Sequence, residues 1–161
     1  MEETNEINLN NEPNANTSNN EDVRKCITAV IYDDVGKPFF LILKRQRNWE
    51  GWEFVKGGME PGETEEETVK REILEETGLQ KFKILKKLEG ITKEFKGVGD
   101  RLNVHSVYLV DASMNIPINI PTGHDPEHST YLWADAESVA SKLTWENDQL
   151  ILAKVLEVLK N

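Results

Sequence analysis

One cysteine, Cys26, in a chain of 161 residues leaves no partner for an internal disulfide. Its place in an apolar run predicts a buried core thiol rather than a reactive one. No apolar stretch is long enough to span a membrane, and no charged-then-apolar leader opens the chain, so a soluble, cytoplasmic protein is expected. Lysine and arginine are absent from the first 22 residues, which hold eight asparagines and six acidic residues, with Ile7 and Leu9 as the sizeable apolar side chains. Such a segment has too little apolar surface to offset the entropy of ordering it. Residues 1 to 22 are therefore expected to form a disordered tail, and residues 23 to 161 a single domain with a core drawn from a chain that is 38% hydrophobic.

Basic residues are outnumbered, and the formal net charge is −10. The tail and residues 57 to 79 each contribute −6, so the rest of the chain sums to +2. Without a basic track, bulk nucleic-acid binding is not expected. The acidity belongs to a tail and to one short segment.

That segment reads GGMEPGETEEETVKREILEETGL from Gly57 to Leu79. Pro61 and Gly62 are turn formers, helix formers run from Glu65 to Glu76, and Gly78 is a left-handed stop, so the reading is loop, helix, loop. At about 100° per residue, Glu72, Glu75 and Glu76 fall within one arc, with Val69 and Ile73 along one border and Arg71 along the other. Like charges at these spacings destabilise an isolated helix, so a cation is expected to neutralise them. Hard divalent ions take carboxylate oxygens, and magnesium shares its remaining sites with water and phosphates. An acidic solvated helix is the ordinary reading of a glutamate-rich stretch. Here Gly57, Glu63, Arg71, Glu72, Glu75, Glu76 and Gly78 stand in a fixed register that such a helix would not require.

Around this helix, runs rich in β-branched and aromatic residues predict strands at about 25 to 32, 39 to 45, 52 to 55, 84 to 95, 102 to 110 and 129 to 134. Apolar residues at helical spacing predict a last helix over about 146 to 160. The arrangement is α+β.

The spacing from Gly57 to Leu79 is similar to the complete signature of the Nudix hydrolases. The resemblance implies an α/β/α sandwich with a mixed sheet over about residues 24 to 160, and hydrolysis of a nucleoside diphosphate linked to another group. It also implies that Glu72, Glu75, Glu76 and the Gly57 carbonyl bind magnesium, or manganese in its place. Arg71 would orient these ligands, Glu75 would be catalytic as well as ligating, and Glu63 would support them.

The flanks resemble one branch of that family, the asymmetrical dinucleoside tetraphosphate hydrolases. Upstream stands LILKRQRNWEGWEFVKGG, and downstream EHSTYLW carries Glu127, His128, Tyr131 and Trp133. Val55 replaces the proline usual before the Lys-Gly pair. Lys44, Arg45 and Lys56 are donors able to neutralise a polyphosphate. Tyr131 offers a ring on which adenine can stack, and Glu127, in a polar loop, can take a proton from the attacking water. His105, inside a strand pattern, reads as structural, and His124, Asp125 and His128 are weaker candidates than Glu127. The resemblance thus implies a small-molecule nucleotide substrate and cleavage of diadenosine tetraphosphate to ATP and AMP; the sequence leaves the oligomeric state open, with a monomer favoured. The alternatives are a pyrophosphohydrolase acting on the triphosphate end of RNA, another nucleoside-diphosphate-linked substrate, and a catalytically silent nucleotide-binding module.

Overall fold

Residues 26 to 31 read CITAVI, apolar at nearly every position, as suits a strand covered on both faces. In the computed structural model, which describes residues 23–96 and 101–161, they form the middle of β1 (Val23–Asp34). Pleat alternation sends Ile27, Ala29 and Ile31 to one face and Val30 to the other. Along one edge β1 pairs in parallel with β6 (Leu102–Asp111). It also pairs antiparallel with β2 (Pro38–Arg45) near its end and with β4 (Val55–Gly58) near its start. β3 (Gly51–Glu53) and β7 (His128–Asp135) pair with β2, and β5 (Lys83–Lys96) with β6, giving a mixed sheet of seven strands.

Helix α1 (Glu65–Thr77) covers one face, setting Val69 and Ile73 against Ile27, Leu41, Leu43 and Val55. On the other face, α2 (Ala136–Lys142) and α3 (Glu146–Lys160) set Val139, Ile151, Leu152 and Val155 against Val30, Phe40, Ile42 and Phe54. Each fully buried aliphatic or aromatic side chain contributes about 1.5 to 3 kcal/mol. Both faces of the sheet are therefore stably covered, and the expected three-layer α+β arrangement is present.

The strand expected over 52 to 55 is two strands. The chain changes partner at Phe54: Glu53 pairs with Leu43 of β2, whereas Val55 pairs with Ala29 of β1. Gly57 and Gly58, expected to open a loop, close β4 opposite Ile27 and Cys26. The short α2 is a further difference; it starts where the Asp135 carboxylate accepts a hydrogen bond from the Ser138 amide at 3.0 Å. The tail expected over 1 to 22 lies outside the described residues. Among the described residues no helix is long and apolar enough to cross a membrane.

Candidate active site

Helix α1 is fixed at both ends. Thr64 caps it by accepting from the Glu67 amide at 3.2 Å. At the other end Gly78, with φ of 72°, donates its N–H to the Leu74 carbonyl at 2.9 Å. Between the caps, Glu72 and Glu76 stand one turn apart and buried, while Glu75 turns outward with its side chain 57% exposed. The three carboxylates expected on one face therefore divide into a buried pair and one on the rim.

Glu72 packs directly on β4, where a Cβ added to Gly57 would lie 2.1 Å from its carboxyl carbon. Burial raises the pKa of Glu72 above the ordinary carboxylate range, and Arg71 opposes that shift. Glu76 is raised well above that range, by burial first and then by repulsion from Glu72, Glu127 and Glu53. It receives a backbone hydrogen bond from Lys56, but its Oε2 has no hydrogen-bond partner among the described residues. An orphaned oxygen on a buried carboxylate, beside a second buried carboxylate, is the hard-oxygen donor set that suits a divalent cation.

Arg71 braces this pair. Its Nε and Nη2 donate to the two Glu63 oxygens at 2.7 and 3.0 Å. Its Nη1 donates to Glu72 at 2.8 Å and Glu75 at 3.2 Å, and Nη2 also reaches the Gly58 carbonyl at 2.9 Å. Glu63 in turn accepts from the Glu60 amide and the Thr68 hydroxyl at 3.0 and 2.7 Å. With Arg71 as the main cause, followed by these two donors, its pKa is held down to about 2.

A second acidic cluster joins Glu53, Glu127 and His128, whose ligand atoms lie within 4.8 Å of one another. The protein already supplies its counter-charge. Arg45 Nη1 donates to Glu127 at 2.7 Å and to Glu53 at 3.1 Å, and His128 Nε2 lies 2.8 Å from Glu53. Arg47 reaches the other Glu127 oxygen at 3.5 Å. Burial pushes the Glu53 carboxyl up, but His128, Lys56 and Arg45 outweigh it and leave the group below its ordinary value. The Glu72 and Glu76 pair, without such compensation at Glu76 Oε2, is the better cation site.

Lys56 is also committed. Its ammonium lies 3.1 Å from Asp148 on α3 and 3.5 Å from Glu53. Burial lowers the Lys56 pKa, but Asp148 and Glu53 together raise it above the ordinary lysine value.

The Glu72 and Glu76 pair opens on a cavity of about 980 Å³, which Glu63, Arg71, Glu75 and His128 do not line. Arg45, Lys56, Gly57, Glu72, Glu76 and Glu127 line it, as do Arg24 and Arg47. Lys44 and Tyr131 are not among the lining residues. Lys44 alternates to the opposite face of β2 from Arg45 and pairs at the surface with Glu50 at 3.3 Å. Tyr131 is exposed on β7, and Trp133, two residues on, packs on the α1 side of the core. Cys26 is buried, as expected, and His105, read as structural, is buried too, though both border the cavity.

Sequence reasoning passed over Glu53, Asp148, Asn103 and the two cavity tryptophans, Trp49 and Trp145. For Asp148 a signal existed. It shares the inward stripe of α3 with Ile151, Leu152 and Val155, and a charge on such a stripe calls for a buried partner.

A model of the NUDIX domain family matches residues 22–155. An RNA pyrophosphohydrolase of Sulfurovum sp. (strain NBC37-1) is 28% identical over 136 residues, covering 79% of this chain and 87% of the relative. The asymmetrical bis(5'-nucleosyl)-tetraphosphatase of Rattus norvegicus is 27% identical over 107 residues, covering 66% of this chain and 71% of the relative. Among solved structures, a C. elegans Ap4A hydrolase binary complex superposes with a TM-score of 0.72 at 23% identity, covering 85% of this chain and 98% of the other.

Proposed function

Because this chain belongs to the Nudix family, we propose that it hydrolyses the phosphoanhydride chain of a dinucleoside tetraphosphate asymmetrically, releasing ATP and AMP. The observation that carries the reading is the buried Glu72 and Glu76 pair with Glu76 Oε2 unpartnered, set beside Arg45 and Arg47 in one cavity. The acidic pair has room for a cation there, and the arginines, paired with Glu53 and Glu127, bring positive charge to the same cavity.

Glu72 and Glu76, with Glu75 at the rim and the Gly57 carbonyl, would hold magnesium or manganese. When bound, the ion supplies positive charge against the nonbridging oxygens of the scissile phosphate. Arg71 keeps Glu72 and Glu75 aimed through its hydrogen bonds to both. Arg45 and Arg47 are the donors for the polyphosphate, and Lys56, held by Asp148 and Glu53, adds fixed positive charge to the cavity wall. Water attacks phosphorus, a new P–O bond forms, and the bridging P–O bond breaks with its electron pair passing to the leaving nucleotide. Glu127, which reaches the cavity from the chain before β7, takes the water's proton. Tyr131, outside the cavity, is left for the outer nucleoside.

The EHSTYLW segment and the absence of a basic track support the dinucleotide. Pyrophosphate removal from triphosphorylated RNA is the second reading, favoured by the similarity to the Sulfurovum enzyme over most of both chains. A silent nucleotide-binding module would have no use for a buried, uncompensated carboxylate. One assay separates the three readings: diadenosine tetraphosphate, ADP-ribose, ATP and triphosphorylated RNA, each with magnesium and with chelator. Equal ATP and AMP from the dinucleotide is the expected result. Preference for the RNA moves the activity to the second reading, and no turnover of any substrate leaves the silent module.

A further inference from the structure

The segment EHSTYLW opens with two residues that face different ways. Glu127 is half-buried and lines the cavity, whereas His128 is 3% exposed and does not border it. The strand pairing accounts for the difference. Where β7 runs beside β2, Lys44 pairs with Thr130 but Arg45 pairs with His128, so Ser129 is the extra residue of a β-bulge. In an unbroken ladder Ser129 would oppose Arg45 and share its face. The bulge puts His128 there instead, on the α1 side of the sheet with Leu43, Arg45 and Glu53.

In that place His128 meets a buried carboxylate. Its Nε2 lies 2.8 Å from Glu53 Oε1, and the two side chains are each 2% exposed. Glu53 is ionised, its pKa lying below the ordinary value, so His128 Nε2 carries the proton and donates it. An apolar pair of similar volume would be buried at less cost than a histidine and a carboxylate. The same Glu53 oxygen accepts from Arg45 Nη1 at 3.1 Å, and that nitrogen also donates to Glu127 at 2.7 Å. The Glu127 carbonyl accepts from the Gln46 and Arg47 amides at 3.0 and 3.4 Å. Glu127 is thus held through its carboxylate, its carbonyl and its chain neighbour.

We propose that His128 is a positioning residue: through its hydrogen bond to Glu53, and with the bulge at Ser129, it holds Glu127 at the cavity wall for proton transfer from the attacking water. The proposal rests on the hydrolytic reading above, in which Glu127 is the base, and deepens it. His128 itself stays out of reach of the substrate. Losing its bond to Glu53 frees the Glu127 segment to shift, and a displacement of about 1 Å is enough to cost on the order of a hundredfold in rate. Glu53 and Arg45 remain bonded to each other, so the donors for the polyphosphate keep their places. The loss therefore falls on kcat rather than on KM.

Two polar variants separate the bond from the burial. His128→Gln keeps a donor as far along the side chain as Nε2 and can still reach Glu53, whereas His128→Asn is shorter by a methylene and cannot. Amide hydrogen exchange resolved by NMR reads the position of Glu127 without turnover. Protection of the Gln46 and Arg47 amides, which are bonded to the Glu127 carbonyl, should fall about tenfold in His128→Asn. Exchange in α1 and α3 should stay as it was, and His128→Gln should restore the protection. With diadenosine tetraphosphate and magnesium, kcat should fall about a hundredfold in His128→Asn at little changed KM, and recover most of that in His128→Gln. If His128→Asn does not fold, the double variant His128→Leu with Glu53→Leu removes the bond and leaves an apolar pair, and its exchange at Gln46 and Arg47 decides. Unchanged exchange at those amides, or raised exchange with unchanged kcat, would overturn the positioning role. Raised exchange in a protein that turns over no substrate would uphold the anchor and sink the hydrolase reading, and hydrolysis indifferent to His128→Asn would do the reverse.

Discussion

Gly57 and Glu72 touch so closely that a methyl group cannot come between them: a Cβ at position 57 would lie 2.1 Å from the Glu72 carboxyl carbon and 2.2 Å from Oε1. Gly57 is needed for this approach and not for an unusual backbone angle. Gly57→Ala should therefore keep the fold, displace Glu72, and lower turnover by about a hundredfold or more, the scale of losing a metal ligand. Circular dichroism and kinetics with magnesium check it. Normal turnover in a folded variant would release Glu72 from the proposed site.

Glu76 sets stability against function. Its buried carboxylate is unneutralised in the metal-free protein, so Glu76→Gln should raise the metal-free melting temperature while lowering activity by at least about a hundredfold. Magnesium should raise the melting temperature of the unmodified protein and not that of the variant, because only a state-specific ligand shifts unfolding. A variant destabilised in chelator would contradict the repulsion assigned to Glu76.

Lys56 holds two buried acids. Lys56→Met leaves Asp148 uncompensated, which costs about 3 kcal/mol and should lower the melting temperature by roughly 6 to 12 °C. Adding Asp148→Leu should restore much of the loss, since an apolar pair is tolerated where half an ion pair is not. If the double variant melts no higher than the single, the pair is not what Lys56 contributes.

His105 makes stability depend on pH over a defined window. Its pKa falls from 6.5 to about 4 on folding, through burial first and then Lys56 and Arg24. Above pH 6.5 both states are neutral and nothing changes. As pH falls from 6.5 toward 4 the unfolded chain binds the proton first, so the folded state loses on the order of 3 kcal/mol. Below 4 the loss is complete. Glu63, with its pKa held at about 2 by Arg71, contributes stability above 4.5 that is lost as pH falls from there toward 2. Melting temperatures measured from pH 7 to 4 should drop less steeply in His105→Gln, and parallel curves would remove His105 as the cause.

Tyr131 is exposed on β7, outside the cavity. If it stacks on the outer nucleoside, Tyr131→Ala should raise KM for the dinucleotide by about tenfold, within the range for one stacked base, with kcat little changed. An unaltered KM would take Tyr131 out of the substrate site.

What the sequence made legible was local. Helix α1 announced both ends, because the turn formers Pro61 and Gly62 and the stop Gly78 act within a turn of where they stand, and Val69 and Ile73 marked its inward side; the Thr64 cap came only with the structure. The run CITAVI likewise signalled a strand, though not its central place in the sheet. What escaped depends on chain segments meeting. Asp148 and Lys56 are 92 residues apart, and nothing near either one indicates that they bond. The partner change at Phe54 is not marked in the sequence, since it depends on which strand lies alongside rather than on the run itself. Lys44 and Arg45 are adjacent in sequence and equally basic, and only the orientation of β2 sends one to the cavity and the other to the surface.

The bond between Asp148 and Lys56 also makes a distant element answerable to the cation site. Lys56 immediately precedes Gly57 and donates its backbone hydrogen bond to Glu76, while its side chain anchors the first turn of α3. Detachment of α3 would strand two buried charges and slacken the strand against which Glu72 rests. Undocking of the helix and loosening of the acidic pair therefore form one cooperative opening. By reciprocity, an ion that tightens the pair must make that opening rarer, so filling the site should slow hydrogen exchange of α3 amides that lie beyond its reach.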